Sequence, residues 1–77
     1  MIKPGAYIQY RDRVETDPPK SGTDKDGWGE RGIVIRSNFW EFFNTGKGQE
    51  DAVEFLSEKG HFIVAAARDV KVVREAQ

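Results

Sequence analysis

The aromatic run NFWEFF, residues 38–43, holds the largest group of side chains able to form a contact surface. It places Phe39, Trp40, Phe42 and Phe43 within five positions of a chain that has two Trp, two Tyr and five Phe. In an extended strand Phe39 would face one side while Trp40 and Phe42 faced the other, whereas a capped helical turn would gather Phe39, Trp40 and Phe43. Such rings either fill a core or, when exposed, mark an interaction site. The sequence leaves both roles open.

Further rings and cations could join this surface. Trp28 lies between two glycines, so its ring could plug the core or contact a ligand, and Tyr7 could line the same groove. Arg31 and Arg36 could contact phosphates beside the rings, as in proteins that hold single-stranded nucleic acid on a sheet. The predicted binding residues are therefore Tyr7, Trp28, Arg31, Arg36, Phe39, Trp40, Phe42 and Phe43.

Metal, cofactor and catalytic signatures are weak. His61 is the one histidine and the chain has no cysteine, so we expect no metal site and a solvent-facing imidazole. The segment 24–27, DKDG, would need an acidic or amide residue at position 22 to begin a calcium loop, and Gly22 stands there. The segment 46–48, GKG, lacks the remaining residues of a phosphate loop. We expect a protein that is not an enzyme and needs no cofactor.

The composition is that of one small domain, residues 1–77. A chain of 77 residues buries only about 60% of its unfolded surface, and no disulfide can reinforce it. The absence of cysteine, of a secretory signal and of a long apolar segment predicts a soluble cytoplasmic protein with no membrane contact. The formal net charge of −1 lacks the basic bias of most nucleic-acid-binding proteins.

Alternation of apolar and polar residues predicts five short strands and no helix of ten or more residues. The clearest strand is Arg31–Arg36, which is rich in β-branched residues. The predicted strands cover residues 6–11, 31–36, 52–57, 61–66 and 70–73, with turns at 3–5, 44–48 and 58–60. Residues 15–29, rich in Pro, Gly and Asp, predict a long mobile loop, and Ala67–Asp69 predicts one helical turn.

The apolar members of the alternating strands predict the core. We expect it to contain Ile8, Ile33, Ile35, Val53, Phe55, Val64, Val70 and Val72.

This order of elements resembles the SH3-like β-barrels. The resemblance is carried by Pro4-Gly5 before the first strand, by the long loop, by Gly32-Ile33-Val34-Ile35, by the hairpin ending in Phe62-Ile63-Val64, and by the single helical turn before Asp69-Val70-Lys71-Val72-Val73. It covers nearly the whole chain. It implies an all-β fold, a small five-stranded SH3-like barrel with a long first loop and a one-turn helix before the last strand.

Proteins of this shape have several functions, including KOW domains, Tudor-type modules, accessory subunits of photosynthetic complexes and plasmid-encoded dihydrofolate reductases. The leading hypothesis is a small binding module that contacts another protein, which could be a second copy, through the aromatic surface. The alternative is KOW-like or Tudor-like binding of nucleic acid or ribonucleoprotein, and the third is an oligomeric reductase. Against the reductase, its functional strand carries Val-Gln-Ile-Tyr where residues 61–64 here read His-Phe-Ile-Val.

Overall fold

The computed structural model of the chain describes residues 2–11, 28–43 and 48–77, and these residues form an all-β structure. Its five antiparallel strands are β1 (Tyr7–Arg11), β2 (Trp28–Phe42), β3 (Gln49–Ser57), β4 (Phe62–Ala66) and β5 (Val70–Arg74). A single 3₁₀ turn, Ala67–Asp69, precedes β5. The predicted all-β class, the five strands and this short turn are confirmed.

The second strand is longer than the sequence predicts. The expected strand Arg31–Arg36 extends in both directions to Trp28 and Phe42, so Trp28 and Gly29 belong to β2 and not to the predicted loop. The aromatic run continues the strand, and the alternative of a helical turn in this run is wrong. The rest of the predicted loop, residues 15–27, and most of the predicted turn at 44–48 lie outside the described residues.

All five strands form one sheet in the order β4-β3-β2-β1-β5. The central strand β2 pairs with β1 along its first part and with β3 along most of its length. The edge strands are β4, which pairs with β3, and β5, which pairs with β1. The sheet therefore brings the beginning of the chain beside its end.

The core lies on one face of this sheet, which we call the inner face. Its buried members are Ala6, Ile8, Val34, Val53, Phe55 and Ala65, and Tyr10 and Val70 pack against them. The Tyr10 and Phe55 rings lie with their centroids 6.1 Å apart. Burial of Ile8, Val53 and Phe55 was predicted correctly.

Four predicted core residues are instead exposed: Ile33 (39%), Ile35 (44%), Val64 (39%) and Val72 (37%). The register explains Ile33 and Ile35, because residues directly opposite in an antiparallel ladder share a face. Val34 stands opposite the buried Phe55, which turns its two isoleucine neighbours to the opposite, outer face. Val64 stands opposite Glu54 on the outer face, and Val72, although opposite Ile8, lies on an edge strand.

Two features adapt β2 to its neighbours. Gly32 is buried and lies very close to the β3 backbone. A Cβ atom at this position would lie 2.1 Å from the Leu56 carbonyl oxygen, so the approach requires glycine. The register against β3 shifts twice, between Val34 and Arg36 and between Arg36 and Phe39. Asn38 lies in the second irregularity with a φ of 59°, a conformation that Asn tolerates better than most residues. The two shifts separate the aromatic part of β2 from the part that covers the core.

A search of the described residues finds no helix with the length and apolar character needed to cross a membrane.

Candidate functional site

The aromatic part of β2 and the first half of β3 form a two-stranded segment, residues 39–43 and 48–52, which we call the hairpin arm. In it Phe39 stands opposite Ala52, Trp40 opposite Asp51 and Phe42 opposite Gln49. Trp40 and Phe42 are two residues apart on an extended strand, so their side chains leave the same face of the arm. Trp40 is 65% exposed and Phe42 is 68% exposed. These two rings are surface and not core.

The other two rings of the run are half-buried. The Arg36 guanidinium lies over the Phe39 ring, 3.8 Å from its centroid, and the Arg36 Nε atom is 3.2 Å from a Glu54 carboxylate oxygen. The predicted site residue Arg36 is thus paired with a carboxylate and a ring, so it adds little unbalanced positive charge to the arm.

Acidic side chains lie on both faces of the hairpin arm. Asp51 is exposed directly opposite Trp40 and shares its face, whereas Glu41 and Glu50 stand opposite each other on the other face. Glu50 is held by Arg68 of the 3₁₀ turn, with Arg68 Nε and Nη2 at 2.5 and 2.8 Å from the two carboxylate oxygens. This pair neutralises one carboxylate and ties the arm to the segment before β5. The exposed surface of the arm remains aromatic and acidic.

Trp28 lies at the opposite end of β2, beside β1 and β5. It is half-buried and stands opposite Arg11 in the ladder. The Lys71 Nζ atom lies 4.4 Å from its ring centroid, and the Arg11 guanidinium carbon lies 5.9 Å away. Two cations therefore face this ring, a geometry that stabilises both partners by roughly 0.5–1 kcal/mol each at exposed positions.

Tyr7 lies on the outer face of β1, opposite Ile33 on β2 and Arg74 on β5. Its hydroxyl group donates a hydrogen bond to the Glu58 carboxylate, and the Arg74 guanidinium lies 5.7 Å from its ring centroid. The hydrogen bond to Glu58 raises the pKa of Tyr7 above its ordinary value, and the nearby Arg31 partly opposes that effect. Tyr7 and Arg31, two of the predicted binding residues, therefore interact on this face.

The predicted site residues therefore form two groups and not one surface. The four rings of the aromatic run lie in the hairpin arm, and Arg36 lies beside the arm over the Phe39 ring. Tyr7, Trp28 and Arg31 lie around β1 at the other end of β2, with the cations Arg11, Lys71 and Arg74. We call this second group the basic aromatic surface.

One apolar feature was missed by the sequence prediction. Ile33, Leu56 and Phe62 stand opposite one another on three adjacent strands and form an exposed row on the outer face. Val64 and Ile35 adjoin the row, and Phe62 is the most exposed member at 67%. Leu56 interrupts the polar side of β3, and β4 is apolar on both faces; these two patterns could have indicated the row.

The turn between β3 and β4 is organised by Ser57. The Ser57 hydroxyl oxygen accepts hydrogen bonds from the backbone N–H groups of Lys59 and His61 at 3.3 and 3.1 Å, and the hydroxyl group donates to Glu30 at 3.3 Å. His61 is exposed, with its Nδ1 atom 3.4 Å from Glu30. Among the described residues, no cluster of three or more His, Asp or Glu side chains could hold a metal ion.

No protein-family model, no curated protein and no solved structure matches this chain. The candidate sites are therefore assigned on their own geometry.

Proposed function

We propose that this protein is a small binding module of SH3-like architecture that recognises another protein through the hairpin arm. The strand order β4-β3-β2-β1-β5, with a single 3₁₀ turn before the last strand, supports the architecture. The observation that carries the function is the exposure of Trp40 and Phe42 side by side on one face of the arm. The cytoplasmic location expected from the composition stays a prediction.

The chemistry of the arm favours a protein over a nucleic acid. Exposed Trp and Phe side chains fill apolar pockets on protein partners, and Trp is among the residues most enriched at binding hot spots. The Asp51 carboxylate, opposite Trp40 on the same face, would repel phosphates. The complementary partner surface is an apolar pocket bordered by Lys or Arg side chains.

The test compares substitutions of exposed apolar residues in a quantitative affinity purification from cells of the source organism. The bait is the full chain, either unchanged, as the double variant Trp40→Ala and Phe42→Ala, or as Val73→Ala. Val73 is the control, because it is an exposed apolar residue, at 45%, on β5 and outside the arm. Loss of an aromatic hot spot costs about 2 kcal/mol or more, which corresponds to roughly 30-fold weaker binding.

We expect a specific partner to be retained by the unchanged chain and by Val73→Ala, and to be lost with the double variant. Equal retention by the unchanged chain and the double variant would contradict the proposal, as would the absence of any specific partner. Thermal unfolding should show that all baits are folded, because neither Trp40 nor Phe42 contributes to the core.

Nucleic-acid binding is the second candidate function, and a different observation favours it. The basic aromatic surface holds Trp28 against Arg11 and Lys71, and Tyr7 against Arg74. Rings combined with nearby cations are how sheet surfaces hold single strands, through base stacking and phosphate contacts. Any such binding would use the end of the sheet opposite the hairpin arm.

A further inference from the structure

The edge strand β4 lacks the charge, proline and bulge that commonly prevent edge-to-edge pairing. Its sequence, Phe-Ile-Val-Ala-Ala, has no charge and no proline, and its ladder with β3 has no bulge. The other edge strand, β5, carries Lys71 and Arg74 and has an irregular register. Proteins protect exposed edges with charge, proline or bulges because unpaired backbone N–H and C=O groups recruit further strands. The two edges of this sheet therefore differ in their capacity to pair.

We propose that β4 pairs antiparallel with β4 of a second copy of this chain, which joins the two sheets into one ten-stranded sheet. Of the described strands, only β3 pairs with β4, which leaves the outer edge of β4 for the second copy. A two-fold axis through Val64 pairs all five residues of the strand. The proposal concerns a different surface from the hairpin arm, so it stands independently of the proposed function.

The side chains of β4 suit this two-fold arrangement. With Val64 opposite Val64 of the second copy, Phe62 stands opposite Ala66 and Ile63 stands opposite Ala65, so each large side chain meets a small one. The apolar row of Ile33, Leu56 and Phe62 ends at this edge and would continue into the second copy. Pairing would cover the part of Phe62 and Val64 that the single chain exposes.

The charges beside β4 do not oppose this pairing. The carboxylate nearest to Val64 in the ladder is that of Glu54, and it already lies 3.2 Å from Arg36. The two-fold arrangement therefore pairs two uncharged strands, and in each copy the nearest carboxylate is already paired with an arginine. An unrelated extended peptide would need an apolar sequence of the same size pattern, which the chain itself supplies.

The first test measures the mass of the full chain by sedimentation over a concentration series. We expect a dimer in reversible equilibrium with the monomer. The variant Val64→Lys places two like charges opposite each other on the axis, so the dissociation constant should rise at least about tenfold. The control Val73→Lys adds the same charge at a valine of similar exposure, 45%, on the other edge strand, and should dimerise like the parent.

A second test fixes the register and does not depend on the lysine variant folding. The chain has no cysteine, so Val64→Cys introduces a single thiol. Residues opposite in an antiparallel pair have Cα atoms about 4.5–5.5 Å apart, within the range that a disulfide spans. Under mild oxidation Val64→Cys should form a covalent dimer much faster than Val73→Cys.

The proposal fails if the parent stays monomeric at every concentration, or if Val64→Lys dimerises as well as Val73→Lys. It also fails if the two cysteine variants cross-link at the same rate. A dimer that Trp40→Ala abolishes while Val64→Lys does not would place self-association on the hairpin arm and overturn pairing through β4.

Discussion

At the scale of single residues, apolar side chains that occupy similar positions in the alternating pattern differ in burial. Ile35 and Phe55 both lie in alternating strands, but Phe55 is fully buried and Ile35 is 44% exposed. The difference arises because Val34, and not its isoleucine neighbours, stands opposite Phe55 in the ladder. Alanine substitutions of Ile35 and Phe55 should therefore lower the free energy of unfolding by different amounts.

We expect Phe55→Ala to lower the free energy of unfolding by about 3–5 kcal/mol, because it removes a ring packed against Tyr10 and leaves a cavity. Ile35→Ala should cost less than about 1.5 kcal/mol, because much of that side chain is already in water. Urea unfolding of both variants measures the difference. Equal losses would show that Ile35 belongs to the core after all.

The ionisation of Tyr7 gives a second prediction at this scale. Its pKa is raised by the hydrogen bond to Glu58, so the folded state favours the neutral phenol. The stabilisation is therefore fully present below the ordinary tyrosine pKa of about 10, and it is lost as the pH rises through the higher pKa of the folded state.

Absorbance titration of the phenolate measures this pKa, in a Tyr10→Phe background that leaves Tyr7 as the one tyrosine. We expect Glu58→Gln to lower the pKa of Tyr7 toward its ordinary value. Arg31→Gln should raise it further, because Arg31 opposes the effect of Glu58. A pKa that does not respond to Glu58→Gln would contradict the hydrogen bond.

At the scale of elements, the long strand β2 serves two purposes. Its first part covers the core between β1 and β3, and its last part forms the hairpin arm with exposed rings. The register shifts between Val34 and Phe39 separate these parts, and Asn38 takes a positive φ there. Bulges of this kind bend a strand and redirect the side chains that follow. The exposure of Trp40 thus depends on the backbone before it.

We expect Asn38→Val to lower the free energy of unfolding by about 1–2 kcal/mol, because a β-branched residue adopts a positive φ only with strain. Asn38→Gly should cost less, since Gly adopts this conformation without a steric penalty. Urea unfolding measures both. If the valine and glycine variants were equally stable, the positive φ would not be required at this position.

At the scale of the whole molecule, the sheet distributes charge unevenly although the net charge is only −1. The hairpin arm carries Asp51 beside the exposed rings and Glu41 on its other face, while Arg11, Lys71 and Arg74 lie around the basic aromatic surface. The average composition conceals this separation. Protein and nucleic-acid partners would therefore meet different ends of the same sheet.

Titration with single-stranded and duplex oligonucleotides at low and moderate salt distinguishes the two candidate functions. For a protein-binding module we expect no binding at moderate salt. Nucleic-acid binding instead requires an affinity that falls steeply as the salt concentration rises. The affinity should be lower still in Lys71→Gln, because a protein that makes fewer phosphate contacts releases fewer counterions when it binds. Lys3→Gln is the control, because Lys3 is exposed and contacts no ring among the described residues. Tight binding to the unchanged chain at moderate salt would replace the leading proposal.

The amino-acid sequence was enough to predict the all-β class, the approximate positions of five strands and the helical turn at Ala67–Asp69. These features follow from local information, namely alternation, β-branched residues and turn residues, which act within a few positions of the chain. It also indicated the aromatic run as a contact surface, but it could not decide between burial and exposure.

Which face of each strand is buried depends on how the strands pair in the folded sheet. A one-residue change of register moves every side chain of a strand to the opposite face, and register depends on pairing between distant residues. That pairing buried Val34 in place of Ile33 and Ile35, extended β2 through Trp28 and the aromatic run, and left Trp40 and Phe42 in solvent. It also aligned Ile33, Leu56 and Phe62 from three separate strands, a juxtaposition that no local pattern encodes.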